Sequence, residues 1–307
     1  MKVPKITLFL IIIFISAFAF SILGFEFYVN GDQIAYSNFY SSLHNSTFFE
    51  AYKNQAIYVS AIEPIAAFIF WIGAILDIEK NIYISIWNAI LILLIVKFLK
   101  KNRVNVIQQI LICFGYYILV LFFAAERLKF AIIFLLIALL YTQKKKIYGI
   151  FAFLCHSSVI VYMGSFLLDY LSKKRIIAGL LFIIFINLIL IFFPNYINLI
   201  FNKVSFGRNS NFFDFLPSLL ILIDLLLLNK KNPKKNIFIE LVPIVLFIFV
   251  LGPTRLNMLI YFYYVFYCVK HRYTSSIIFN LTLIYNFYKS SIFISNTLQY
   301  GEGFNVI

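Results

Sequence analysis

The chain has 307 residues, of which 63% are hydrophobic and only 12% charged. A soluble domain carries roughly 25% charged residues, and no single core could hide this much apolar surface from water, so lipid is the solvent for most of the chain. The net charge of +14 does not point to nucleic acid, because Lys and Arg sit in short clusters between apolar runs, the pattern of cytoplasmic loops.

Apolar runs fall at 6–25, 57–76, 82–98, 105–124, 126–142, 147–171, 176–193, 215–228, 236–251, 254–269 and 274–292. They predict an all-α, polytopic membrane protein of about 9–11 transmembrane helices. The run at 6–25 is long enough to span, and no small-residue cleavage site follows it, so it reads as a first anchor with its N-terminus in the cytoplasm. Residues 1–307 read as one transmembrane domain with outward loops at 26–56 and 194–214. Cys113, Cys155 and Cys268 all lie in apolar runs and form neither a disulfide framework nor a zinc spacing.

The basic residues set the orientation. If every run crosses once, 14 Lys and Arg fall inside and 11 outside, leaving Lys289 aside. If 57–76 and 147–171 instead enter and return on one side, the split becomes 18 inside and 7 outside, which obeys the positive-inside rule far better. Both runs carry a reason to break. The first holds Glu63-Pro64, a charge and a helix breaker in an apolar segment. The second holds His156-Ser157-Ser158 near its middle. Non-helical backbone at membrane depth is tolerated only where protein or a wet cavity surrounds it.

The polar residues of the outward face are the candidates for chemistry. Asp32, Tyr36 and Tyr40 recur at spacing four and share one face of a helix. An acid beside two rings suits a sugar, with hydroxyls on the carboxylate and apolar faces on the rings; an interfacial aromatic belt has the same composition. Glu63 is an intramembrane acid. Glu126, Arg127 and Lys129 crowd the junction of two runs, more charge than snorkelling requires. Arg127 can grip phosphate oxygens bidentately. Arg208, with Lys203, lies in the second outward loop, and Arg255 lies in the turn Gly252-Pro253-Thr254-Arg255. His156 is the histidine placed inside an apolar run, where a neutral imidazole can act as base or donor. Asp77-Ile78-Glu79 has the spacing of a metal-holding acid pair but reads as a solvated turn. No motif asks for a metal or a cofactor.

The order of these motifs resembles the EpsG/Wzy-type polysaccharide repeat-unit polymerases. An acid four residues before a tyrosine follows the first anchor (Gly31-Asp32-Gln33-Ile34-Ala35-Tyr36). An acid heads the next run (Glu63-Pro64), an arginine opens an outward helix (Glu126-Arg127-Leu128-Lys129-Phe130-Ala131), and a histidine precedes small residues (His156-Ser157-Ser158). The resemblance covers roughly residues 25–165 in detail; the rest matches as a string of transmembrane helices with late arginines, so Arg208 and Arg255 carry over less directly. It implies block transfer of undecaprenyl-pyrophosphate-linked oligosaccharides at the outer face of a bacterial cytoplasmic membrane, without metal. The catalytic candidates are Asp32, Glu63 and His156, in no order of preference. Tyr36, Tyr40, Arg127, Lys129, Arg208 and Arg255 are the substrate-binding candidates. The implied partners are the lipid-linked oligosaccharide, the bilayer, and chain-length regulator and flippase proteins. The alternative is a transporter or flippase for an anionic substrate, with Glu63 and His156 as a proton relay.

Overall fold

In the computed structural model, residues 5–141, 145–159, 216–230 and 253–304 are described, and all regular structure among them is helical. This is the expected solution in lipid, where each backbone N–H and C=O must be satisfied within its own segment. The helices are α1 (Lys5–Phe27), α2 (Asp32–Ser41), α3 (Phe48–Val59), α4 (Pro64–Ile75), α5 (Lys80–Lys101), α6 (Val106–Cys113), α7 (Tyr116–Phe123), α8 (Glu126–Leu140), α9 (Lys145–Cys155), α10 (Leu216–Lys230), α11 (Pro253–Lys270) and α12 (Ile277–Tyr300). Among the described residues three helices, α1, α5 and α12, are long and apolar enough to cross a membrane, and two bent pairs raise that to five. The protein is a multi-pass, all-α membrane protein.

The chain forms two compact units, Met1–Val159 with Asn280–Ile307, and Ile160–Phe279. In the first, α1 and α5 pack antiparallel. Near the end of α1, Ser21 Oγ lies 2.8 Å from Ser85 Oγ, and Lys80 Nζ, at the start of α5, stands over the Phe25 ring at 5.7 Å. At the other end Lys100 Nζ sits 3.3 Å from the Phe9 centroid. Lys101 Nζ then donates to Leu140 O at the end of α8, 2.9 Å away. The N-terminal part of α1 and the Lys97–Arg103 cluster therefore share one end of the unit, and α8 finishes there. At the opposite end lie Lys80, Gln33 of α2 and the start of α8, tied together by side-chain bonds.

This antiparallel pairing has a topological consequence. The segment between α1 and α5 leaves and returns at the same end. Had every run crossed once, α1 and α5 would run parallel. For the run 57–76, the helices adopt the returning arrangement.

The return is made by α3 and α4, which meet at 107°. A capping box opens α3: Thr47 Oγ1 accepts from Glu50 N, and Glu50 Oε2 accepts from Thr47 N at 2.7 Å. The helix ends at Ser60 in the left-handed region, φ 49°. Proline disfavours a helical conformation in the residue before it, and Glu63 is accordingly extended, φ −131°, with Pro64 as the first residue of α4. The break thus sits at the head of the apolar run. The entering arm, α3, starts nine residues before that run, inside the stretch 26–56 that the sequence presents as a loop. That stretch holds two helices because α2 and α3 are short and polar on one side, which hydropathy alone does not register.

The run 105–124, expected as one span, is bent by 40° between α6 and α7 at Phe114-Gly115. The hydroxyl of Ser290 in α12 donates to the freed Phe114 carbonyl at 2.6 Å. Beyond the bend every residue of α7 is buried. In the run 147–171, α9 ends at Cys155, and a short 3₁₀ turn, Ser157–Val159, follows His156. The remainder of that run, 160–171, lies outside the described residues, as do the loop 194–214 and the runs 176–193 and 236–251.

In the second unit α10 packs on α11. Asp224, buried in an otherwise apolar helix, accepts from the Tyr264 hydroxyl and, at 3.2 Å, from Ser276 Oγ. Ser218 donates to Asn257. Hydroxyl and amide pairs of this kind hold helices together where lipid supplies no hydrophobic drive.

Ile34, which is 53% exposed on α2, and Lys101, exposed at the end of α5, should label from opposite sides of the membrane. Ile34→Cys and Lys101→Cys, each made in a Cys113→Ala background, can be tested with an impermeant maleimide on intact cells. We expect position 34 to react and position 101 to require permeabilisation. Reaction of both from one side would refute the returning segment.

Candidate functional site

The α3–α4 break meets the turn that follows α9. Glu63, at the α3–α4 break, accepts from Arg127 of α8: Arg127 Nη1 lies 2.7 Å from Glu63 Oε2. His156, in the turn after α9, brings its Nδ1 to 3.9 Å from the other carboxylate oxygen, Oε1. Tyr36 of α2 completes the group, its hydroxyl accepting from Arg127 Nε at 3.4 Å. Their side chains are 8%, 14% and 20% exposed for Glu63, Arg127 and His156, so the group is largely desolvated yet reachable. Coulomb attraction at this depth is much stronger than in water.

Local structure explains each position. Pro64 forces the backbone at Glu63 out of the helix, and Gln55 Oε1, one helix earlier, takes up the Glu63 N–H at 2.8 Å. The first helical bond of α4 then starts from the Glu63 carbonyl, accepting from Ala67 N. Arg127 sits in the first turn of α8, after Ala124 and Ala125 end the packed run of α7. Tyr36 lies on the buried face of α2, its ring stacked on Phe70 of α4 at 5.8 Å. Burial pushes its hydroxyl up to about 12, with Arg127 pulling the other way, so it stays neutral across the physiological range.

The guanidinium is only partly engaged. Nε bonds Tyr36 and Nη1 bonds Glu63, while Nη2 has no partner among the described residues. Arginine has five N–H donors in a planar fork, so the remaining donors can receive an oxyanion without first breaking the ion pair. Gln55, fully buried beside Glu63, leaves its Nε2 without a partner among the described residues.

A second polar cluster lies behind the first. The Gln33 amide gives hydrogen bonds to Glu126 Oε1 at 2.7 Å and to Phe123 O at 2.5 Å, and accepts from Lys80 Nζ at 2.5 Å. Glu126 is fully buried and directly precedes Arg127. Lys129, also fully buried, donates to Asn88 Oδ1 at 2.7 Å, and Asn88 in turn donates to Ser21 Oγ. This cluster fixes α2 and α8 on α1 and α5, and so sets the register of Tyr36 and Arg127.

The structure thus brings Glu63, Arg127, His156 and Tyr36 of the sequence candidates to one place. The others stand elsewhere. Asp32 opens α2 and is exposed, one turn from Tyr36, where an acid also suits the helix dipole. Tyr40 is 3% exposed, donates to Ile78 O at 2.7 Å and packs on Phe70, joining α2 to the turn before α5. Lys129 points into the Asn88 cluster. Arg255 falls in the first turn of α11, in the second unit, and Arg208 lies outside the described residues. Asp77 is in a left-handed turn, φ 52°, with its side chain 93% exposed.

Gln33, Gln55 and Asp224 were not singled out by sequence reasoning. Gln33 was legible in principle, since it precedes Tyr36 by three residues and so shares its helix face. Asp224 was the plainest signal missed: an acid inside an apolar run.

Gln33→Leu should destabilise the protein by about 3 kcal/mol, because it takes the donor from buried Glu126 and the acceptor from Lys80. Gln33→Glu places two carboxylates face to face and should cost as much. Adding Glu126→Gln restores a donor opposite a carboxylate and should recover most of the loss. Thermal unfolding of the purified protein in detergent reads all three; a double variant no better than Gln33→Glu would remove the clamp from the account.

No family model matches this chain, and neither the curated proteins nor the solved structures hold a match to it.

Proposed function

We propose that this protein is a polymerase of polyprenyl-pyrophosphate-linked oligosaccharide repeat units, acting at the outer face of a bacterial cytoplasmic membrane with its N-terminus inside. The observation that carries the reading is the Glu63–Arg127 pair: a carboxylate and a half-engaged guanidinium, desolvated where the α3–α4 break meets the start of α8. It lies at the end of the unit where α8 begins, opposite the end that holds Lys97–Arg103. A cation at the face away from the orienting basic clusters serves an anionic ligand better than it serves topology.

The chemistry needs little else. An acceptor hydroxyl oxygen attacks the anomeric carbon of the growing glycan. The bond from that carbon to the pyrophosphate oxygen breaks, and its electron pair leaves with the lipid pyrophosphate. The hydroxyl proton passes to a base, for which Glu63 is well placed. Arg127 faces the charge that develops on the leaving group, where a fixed donor lowers the barrier most. As the pyrophosphate takes up the guanidinium, Glu63 is released from its cation and becomes able to accept the proton. The linked glycan would follow the α2 face, near Asp32 and Tyr36.

Arg127→Ala should abolish long surface glycan; because it also leaves Glu63 without its cation, glycan is compared at matched levels of protein in the membrane. Arg127→Lys should restore it only in part, since a point charge replaces the attraction but not the fork geometry. Glu63→Gln should retain lipid-linked units and stop chain growth. Gel profiles of surface polysaccharide from the variant strains are the measurement; full-length glycan in the Arg127→Ala strain at normal protein level would exclude this site.

A further inference from the structure

His156 is held by its own turn. Ser158 Oγ lies 2.6 Å from His156 Nδ1, and the backbone N–H of Ser158 points at the same nitrogen from 3.3 Å. A backbone amide can only donate, so Nδ1 is an acceptor in this geometry. The hydroxyl is free to rotate and adds a second donor to the same lone-pair direction. The contact from Nδ1 to Glu63 Oε1, at 3.9 Å, is longer than a hydrogen bond and cannot be one while Nδ1 accepts.

The turn enforces this arrangement. Helix α9 stops at Cys155, Val159 N donates to His156 O at 3.1 Å, and the intervening 3₁₀ turn folds Ser158 back over the ring. Ser158 is 7% exposed, so water does not compete for its hydroxyl. Ser157, by contrast, is exposed.

We propose that Ser158 is a positioning residue that fixes His156 as the neutral tautomer with its proton on Nε2, so that the imidazole serves as a hydrogen-bond donor and Glu63 as the proton acceptor. To take a proton at Nδ1, His156 would have to turn an N–H against the Ser158 amide N–H and reverse the direction of its bond with the Ser158 hydroxyl. The assignment of Glu63 as base rests on the polymerase reading above; the tautomer itself does not. With its basic nitrogen engaged by Ser158, His156 is not the proton acceptor, and the polymerase reading above gives that role to Glu63.

The chain holds three histidines, so ¹⁵N-histidine labelling of the full-length protein in lipid nanodiscs gives few signals. Those absent in His156→Gln belong to His156. At neutral pH the unaltered protein should show His156 with an unprotonated Nδ1 and a proton-bearing Nε2. Ser158→Ala keeps the backbone N–H but loses the hydroxyl and should admit a measurable share of the other tautomer, and Ser158→Thr should keep the single pattern. A proton-bearing Nδ1 in the unaltered protein, or an unchanged pattern in Ser158→Ala, would overturn the proposal. If Ser158→Ala does not fold, the unaltered and Ser158→Thr spectra still decide. The measurement needs no glycan, so its failure is separable from failure of the polymerase reading.

Discussion

The first unit is organised around one constraint: a proline in an apolar segment puts a carboxylate where the backbone cannot be helical. Pro64 holds Glu63 extended, the α3–α4 pair bends by 107°, and the peptide groups at the bend need partners that lipid does not provide. Gln55 supplies one for the backbone and Arg127 one for the charge. Removing either partner of such a pair leaves a buried ion uncompensated, which costs several kcal/mol.

The surrounding helices hold it in register through polar rather than apolar contacts. Three helices contribute Ser21, Ser85, Asn88 and Lys129 to one chain of bonds, and Gln33 ties a fourth to them. Apolar side chains facing lipid and apolar side chains facing a neighbour have nearly the same solvation, so hydrophobicity does not specify a helix pairing in a membrane. Directed bonds do. A glycine contributes too: Gly31, at φ 61°, turns the chain into α2, and a Cβ there would come within 2.7 Å of the Glu302 side-chain Oε2. The same network that specifies the fold thus aims Arg127 and Tyr36.

The sequence carries the membrane class, the helical content and the returning segment. Glu63-Pro64 marks the break, and the distribution of Lys and Arg selects the antiparallel α1–α5 arrangement before any contact is known. What it does not carry is the depth and facing of individual polar side chains. Lys129 and Arg127 are two residues apart on α8; one is fully buried against Asn88 and the other faces Glu63. Tyr36 and Tyr40 share a helix face, yet one touches the ion pair and the other closes on Ile78. These differences arise from neighbours distant in sequence, and a spacing rule cannot contain them. The bend at Phe114-Gly115 is similar, since the hydroxyl that accommodates it belongs to Ser290, 176 residues away.

The central claim is that the desolvated Glu63–Arg127 pair carries out metal-independent block transfer onto a lipid-linked acceptor. It is tested most directly with the purified protein in liposomes that present polyprenyl-pyrophosphate-linked repeat units in the leaflet bearing the α8 start, with chelator present and no nucleotide sugar. The account predicts polymer from the unaltered protein and none from Arg127→Ala. Polymer that forms only with added nucleotide sugar, or lipid-linked units that change leaflet without being joined, would contradict it.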